Sequence, residues 1–252
     1  MTLSQEQMDA FARDGYLPYQ RILTDEELAL LRREYDHEFA LAERGGQWRN
    51  LAAPDGAPVA EQKKAPQQML QIMQMCERNL HFRKLIYDAR ILDGVQDLIG
   101  PNLMLFHDQA LFKPAYHGGE VPWHQDNAYW QCRPANLVSC WLTLDDVDAD
   151  NEAMQVIPGS HLRPHRHQKA RDQDVLYDLK TQVDLSRKVT VPLAAGACMF
   201  HHCQTVHQTN PNTTPRQRRA FAIHFMTPGT FSERENSILH VGWSHPLLRM
   251  AC

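Results

Sequence analysis

The sequence has no stretch of about 20 uninterrupted apolar residues, the length needed to cross a bilayer. Its best apolar run, Val189 to Phe200, is short and interrupted by Pro192 and Gly196, so it reads as core. It has no block of like charge: 26 Lys and Arg stand against 30 Asp and Glu, a net charge of −4. Such a mildly acidic chain offers no electrostatic footing for nucleic acid or for an anionic membrane, and neither is expected as a partner. No CxxC pair occurs among the six scattered cysteines, which argues against structural zinc or a dithiol redox motif. The opening residues, Met-Thr-Leu-Ser-Gln-Glu-Gln, lack the basic and apolar regions of a secretory leader, so a cytoplasmic chain with reduced, mostly buried thiols is expected. Repeats and low-complexity tracts are also lacking. What remains is 252 residues, 43% hydrophobic, enough to bury a sizeable core in a single domain spanning 1–252.

Helical signals dominate residues 1–100. Ser4 with Gln7, and Thr24 with Glu27, have capping-box spacing, and Leu28, Leu31, Tyr35 and Phe39 repeat at helical period behind the second box. Gly15 stops the first helix, and Tyr16-Leu17-Pro18 leads on as an extended segment. From Gly45 to Pro66 the apolar period vanishes, which predicts a surface excursion; a further helical stretch is expected from Gln67 to Ile99, closed by Gly100-Pro101. Beyond 101 the pattern changes to short apolar or alternating runs: 103–112, 138–144, 154–157, 189–193, 198–200 and 220–226. Helices followed by such strands predict an α+β chain whose mainly β core, residues 101–230, is a double antiparallel sheet buttressed by the N-terminal helices.

The sharpest chemical feature is Pro122-Trp123-His124-Gln125-Asp126. If the segment is a strand, His124 and Asp126 project from one face and converge. By itself, His-x-Asp is a weak signal, and a solvated or core histidine beside a carboxylate is the plainer reading. A third ligand is available in His207, and two histidines with one carboxylate form the open-faced triad of non-haem Fe(II) oxygenases. Arg218, eleven residues after His207, strengthens the reading, because a guanidinium forks onto a carboxylate such as the distal one of 2-oxoglutarate.

Several segments together carry a resemblance: Phe11-Ala-Arg-Asp-Gly-Tyr-Leu17, Gly100-Pro101-Asn102, Lys113-Pro114, Trp123 to Tyr129, Trp141, Ile157-Pro158-Gly159-Ser160-His161, and His207 through Arg218. In these the chain resembles the phytanoyl-CoA dioxygenase family of Fe(II)/2-oxoglutarate oxygenases. The resemblance implies a double-stranded β-helix, a cupin-like jelly roll, with His124, Asp126 and His207 on Fe(II). It also implies 2-oxoglutarate and O2 as co-substrates, a small or medium organic substrate hydroxylated at a C–H bond, and release of succinate and CO2. Arg218 matches the arginine that pairs with the 2-oxoglutarate side carboxylate, Thr209 the hydroxyl residue that assists it, Trp141 a pocket tryptophan and Gln109 a further co-substrate contact. Asp126 argues against a halogenase, where the carboxylate is replaced. Trp123, Asn127, Tyr129 and Trp130 flank the ligands and are expected to line the substrate pocket, with 45–66 and 163–174 as lids.

Other residues receive plainer readings. Lys113 is expected in solvent at a strand end. Glu152 stands where the resembling family places glycine, and is expected on the surface rather than at the pocket mouth. His161 belongs to a turn beside the substrate region, and with His165 and His167 it matches no defined zinc spacing, so a solvated loop is expected. His202 is read as support for the metal site, with its neighbour His201 on the opposite strand face. The rivals are a metal-containing cupin that needs no 2-oxoglutarate, a silent binding module, and, last, a zinc hydrolase.

Overall fold

The computed structural model describes residues 3–54, 57–66, 68–163, 165–169, 177–179 and 183–251. Both capping boxes form. Ser4 Oγ accepts from the Gln7 amide and the Gln7 side chain returns to the Ser4 amide, opening α1 (Gln5–Asp14); Thr24 and Glu27 repeat the exchange at the start of α2 (Asp25–Gly45). Gly15 closes α1 at φ 79°, and a Cβ there would meet the His161 ring at 2.4 Å, so both conformation and packing require glycine. A third long helix, α3, spans Ala89–Ile99.

The strands build two facing sheets. The larger runs, neighbour to neighbour, from β1 (Tyr16–Arg21) at one edge to β2 (Leu70–Met73) and the Arg49–Asn50 strand at the other. Between them lie the central strands β3 (Leu103–Lys113), β5 (Val138–Thr143), β8 (Ala197–His202) and β10 (Arg218–Met226), in the order β1-β8-β5-β10-β3-β2. Leu247–Arg249 adds to β3. The smaller sheet holds β4 (Val121–His124), β6 (Met154–Val156), β7 (Val189–Val191) and β9 (His207–Thr209), in the order β7-β6-β9-β4. The pairings between these strands are antiparallel, and the result is the expected jelly roll.

Strand alternation assigns the two faces of the large sheet different work. On β10, Phe221, Ile223 and Phe225 join Leu28, Leu31, Tyr35, Phe82, Ile91 and Val95 in the main core, so the helices cover this outer face. Ala220, Ala222 and His224 point the other way, into the space between the sheets; the alanines leave that space open. Burying a phenylalanine such as Phe221, which meets Phe82 edge-on at 5.0 Å, contributes about 3 kcal/mol.

Two expectations are corrected. The stretch 67–99 is not continuously helical: it contains β2, whose Leu70–Met73 pairs with Gln109–Phe112, then short helices at Met75–Arg78 and Leu80–Leu85 before α3. Tertiary pairing with β3 overrides the local period. The excursion 45–66 contains the Arg49–Asn50 strand and a helix at Val59–Lys64.

Candidate active site

His124 is the last residue of β4, and its cross-strand Cα partner is His207, the first residue of β9. Asp126 is not on the strand. It lies one turn beyond, at φ −55° and ψ −40°, entering the short helix Asn127–Trp130. The turn into this helix achieves the convergence that strand geometry alone would have given. One ligand atom from each of the three lies within 4.8 Å of the others, and among the described residues this is the group that could hold a metal ion. Asp126 Oδ1 is 3.7 Å from the Nε2 of both histidines.

Backbone carbonyls aim the imidazoles. His124 Nδ1 donates to Pro122 O at 2.7 Å and His207 Nδ1 to Thr205 O at 2.8 Å, which turns each Nε2 toward Asp126. Burial, then the neighbouring His124, pushes His207 down to about 3, so this imidazole is neutral and ready to ligate near pH 7. Burial alone would raise Asp126, but the surrounding histidines outweigh it and hold the carboxyl well below the usual carboxylate range.

The other oxygen of Asp126 is held by the large sheet. His201 Nε2 donates to Asp126 Oδ2 at 3.1 Å, and the Ser139 hydroxyl donates to the same atom at 3.3 Å. Behind Ser139 a relay extends across three strands: Gln71 donates to Gln109, the Gln109 amide to His224 Nε2 at 3.0 Å, and His224 Nδ1 to Ser139 at 2.7 Å. Each donor faces toward the carboxylate, so the chain has one direction and Oδ1 is left for a cation.

The triad faces a cavity of about 450 Å3 between the sheets. Arg218, Thr209, Trp141 and Gln109 all line it, as the resemblance implied. Arg218 is 1% exposed; its Nη1 donates to Leu111 O at 3.0 Å, its guanidinium lies 5.5 Å from the Trp141 ring, and its Nε is buried with no partner. A buried guanidinium with an orphaned donor in a cavity wall fits an anionic ligand. Thr209 Oγ1 accepts from Lys113 Nζ at 2.8 Å, which leaves its own proton free to donate.

Of the four residues expected to line the substrate pocket, Tyr129 and Trp130 do. Trp123 does not: alternation along β4 sends it away from His124, into a cluster with Ile157, Leu179 and Val206. Asn127 is also turned aside, accepting from the Cys132 amide at 2.9 Å and donating to its carbonyl at 3.2 Å, which ties the turn after Asp126. Lys113 and Glu152 are 0% exposed, against the expectation of solvent for both; they pair with each other at 2.5 Å. His161 is buried, with Nε2 donating to Ala12 O, so it fastens α1 and is no part of a solvated loop; His165 and His167 are half-buried beside Gln125. His201, not His202, touches Asp126; His202 accepts from the Gln204 amide and lies beside His161. Arg49 and Leu51, from the first expected lid, line the cavity; of the second, 164 and 170–174 lie outside the described residues.

Sequence reasoning missed His107, Ser139 and His224. The signal was period 2: with Arg218 inward on β10, His224 follows at the third alternate position, and with Gln109 inward on β3, His107 is the alternate position before it.

The model of the phytanoyl-CoA dioxygenase family matches residues 11–220. The chain belongs to the phytanoyl-CoA dioxygenase family. The peroxisomal phytanoyl-CoA dioxygenase of Rattus norvegicus is 24% identical over 233 residues, covering 88% of this chain and 68% of that one. Among solved structures, the epimerase SnoN in complex with Fe3+, alpha ketoglutarate and nogalamycin RO shares the fold at TM-score 0.79, with 22% identity over 97% of this chain and 98% of that one. EvdO2 from Micromonospora carbonacea var. aurantiaca, complexed with 2-oxoglutarate, is 26% identical at TM-score 0.68, covering 90% of this chain and 92% of that one. This member of the family is an iron- and 2-oxoglutarate-dependent dioxygenase.

Proposed function

We propose that His124, Asp126 and His207 hold the Fe(II), and that Arg218, with Thr209 and Trp141, receives the distal carboxylate of 2-oxoglutarate. The observation that carries this reading is the coexistence, in one cavity, of three converging ligand atoms and a buried arginine with an orphaned Nε. When bound, the iron would let O2 act as the oxidant at the expense of 2-oxoglutarate, one oxygen atom entering a C–H bond as a hydroxyl and the other ending in succinate as CO2 is released. The protein's own residues do the rest. Pro122 O and Thr205 O keep the two imidazoles aimed, while Ser139 and His201 pin the outer oxygen of Asp126 so that the inner one faces the metal position.

The substrate is a small or medium organic molecule with apolar and polar parts. A cavity of about 450 Å3 shared with 2-oxoglutarate, walled by Leu51, Met73, Tyr129 and Trp130, supports this size and character. Tyr129 meets the His124 ring edge-on at 5.6 Å, which supports a place for it against substrate beside the metal. Gln109 is committed on both sides, to Gln71 and His224, and reads as support for the relay more than as a co-substrate contact. The test is succinate release in a substrate screen: wild type should consume 2-oxoglutarate, and Asp126→Ala should not. Substrate oxidation that proceeds without 2-oxoglutarate would favour the metal-containing cupin reading instead.

A further inference from the structure

Beneath the 2-oxoglutarate end of the cavity lies a second polar cluster, and it has an unusual cost. Glu152 takes φ 83°, the left-handed region that a side chain with a Cβ adopts at a cost of order 1–3 kcal/mol. It is also fully buried, with Oε1 unpartnered, and its carboxylate is seated so closely on Gly118 that a Cβ there would meet Oε1 at 2.4 Å. Its Oε2 accepts from Lys113 Nζ at 2.5 Å and from Arg218 Nη2 at 3.3 Å. Lys113, itself fully buried, gives its remaining donors to Thr209 Oγ1 at 2.8 Å and Asn210 O at 2.9 Å. Arg218 and Thr209 line the cavity; Lys113 and Glu152 stand behind them.

Two cations and one anion sum to a single positive charge, and the sum is the same wherever the proton between Lys113 and Glu152 resides. That charge matches one carboxylate. The distances show how Glu152 divides its attention: the short contact goes to Lys113 and the long one to Arg218, which keeps Nε free. Without Lys113, the buried carboxylate would have Arg218 as its one cationic partner among the described residues and would compete directly with the co-substrate.

Resting on the co-substrate reading above, we propose that Lys113 and Glu152 are a self-neutralising pair that withholds both of their charges from the ligand and keeps Arg218 a singly charged, available anchor. Neither residue is then a 2-oxoglutarate ligand. Both act on the ligand only through Arg218: Lys113 occupies the Glu152 carboxylate, and an occupied Glu152 leaves the guanidinium to the ligand.

The pair predicts a pattern that single roles do not. Lys113→Met should weaken 2-oxoglutarate binding tenfold or more, because Glu152 then captures Arg218. Glu152→Gln, and Glu152→Gly, which also relieves the positive φ, should bind within threefold of wild type or more tightly. The double variant Lys113→Met/Glu152→Gln should recover to within threefold of wild type. Binding is read twice, by anaerobic absorbance titration of the Fe(II) protein and by the rise in melting temperature that 2-oxoglutarate gives the metal-free protein. A double variant as weak as Lys113→Met would overturn the proposal, since Lys113 would then contact the ligand itself. Tenfold weakening in both Glu152 variants would overturn it too, by making Glu152 a prop for the ligand. If Lys113→Met does not fold, the double variant and the Glu152 variants still decide. Wild type showing neither absorbance nor thermal response would instead strike the co-substrate reading beneath.

Discussion

The two ends of one cavity handle buried polarity in opposite ways. At the proposed iron end, five imidazoles and a serine surround a single carboxylate, and polarity is met by directed hydrogen bonds between groups that are mostly neutral. At the proposed anchor end, Lys113, Glu152 and Arg218 bring ionisable groups together with almost no exposure, and polarity is met by compensation. The difference follows from what each end must receive. A metal cation needs lone pairs held in place, so the histidines must stay unprotonated and Asp126 must offer one specific oxygen. A carboxylate needs one surplus positive charge, and a dry site cannot hold two without a counter-charge.

The largest effect that sharpens this contrast is at the triad. Asp126→Ala and His207→Ala should each abolish stoichiometric iron binding and substrate-dependent succinate formation; metal analysis and a succinate assay read both. Acid comes next, and it should strike the iron end. Burial pushes His107 to about 4 and His207 to about 3, below the ordinary imidazole value of 6.5. Between 6.5 and those values the unfolded chain binds protons that the folded one refuses. Stability is therefore fully present above pH 6.5 and is lost as pH falls, at up to about 1.4 kcal/mol per pH unit for each imidazole. Denaturant unfolding of the metal-free protein from pH 7 to 4 should show that slope; a flat profile contradicts the neutral-imidazole account.

At the anchor end, Arg218→Ala should raise the KM for 2-oxoglutarate about 10–100-fold, as loss of charged hydrogen bonds worth about 1.5–3 kcal/mol requires, with iron affinity unchanged. Ser139→Ala should do the reverse, lowering iron affinity about tenfold while leaving the 2-oxoglutarate KM alone. If either variant moves both quantities equally, the two ends are not separable as described. The smallest effect separates lining from support: Asn127→Ala should lower stability by about 1 kcal/mol through its lost bonds to Cys132 without altering 2-oxoglutarate binding.

How much of this was legible in the sequence depended on whether local pattern or tertiary partner decided the outcome. The two capping boxes, and the strands at 103–113, 138–143, 154–156 and 218–226, are local signals and formed where they were read. The strand at 70–73 exists because β3 pairs with it, and its residues carry a helix-like neighbourhood that points the other way. At the site, His124, Asp126, His207 and Arg218 stood out through spacing and chemistry. Trp123 misled because adjacency to a ligand was weighed above alternation, which sends the neighbour of an inward residue outward. Lys113 and Glu152 misled because charged residues are usually solvated, and nothing local reveals that positions 39 residues apart meet behind Arg218. The relay from Gln71 to Ser139 joins four strands that are distant in sequence, although period 2 from Arg218 marks His224 as inward.

The most direct test of the central claim is an anaerobic titration of the metal-free protein, first with Fe(II) and then with 2-oxoglutarate, followed by the visible charge-transfer absorbance of a chelated keto acid. The account predicts that the band forms in wild type with one iron per chain, is absent in His207→Ala, and needs far more 2-oxoglutarate in Arg218→Ala. No band in wild type, or an undiminished band in His207→Ala, would contradict it.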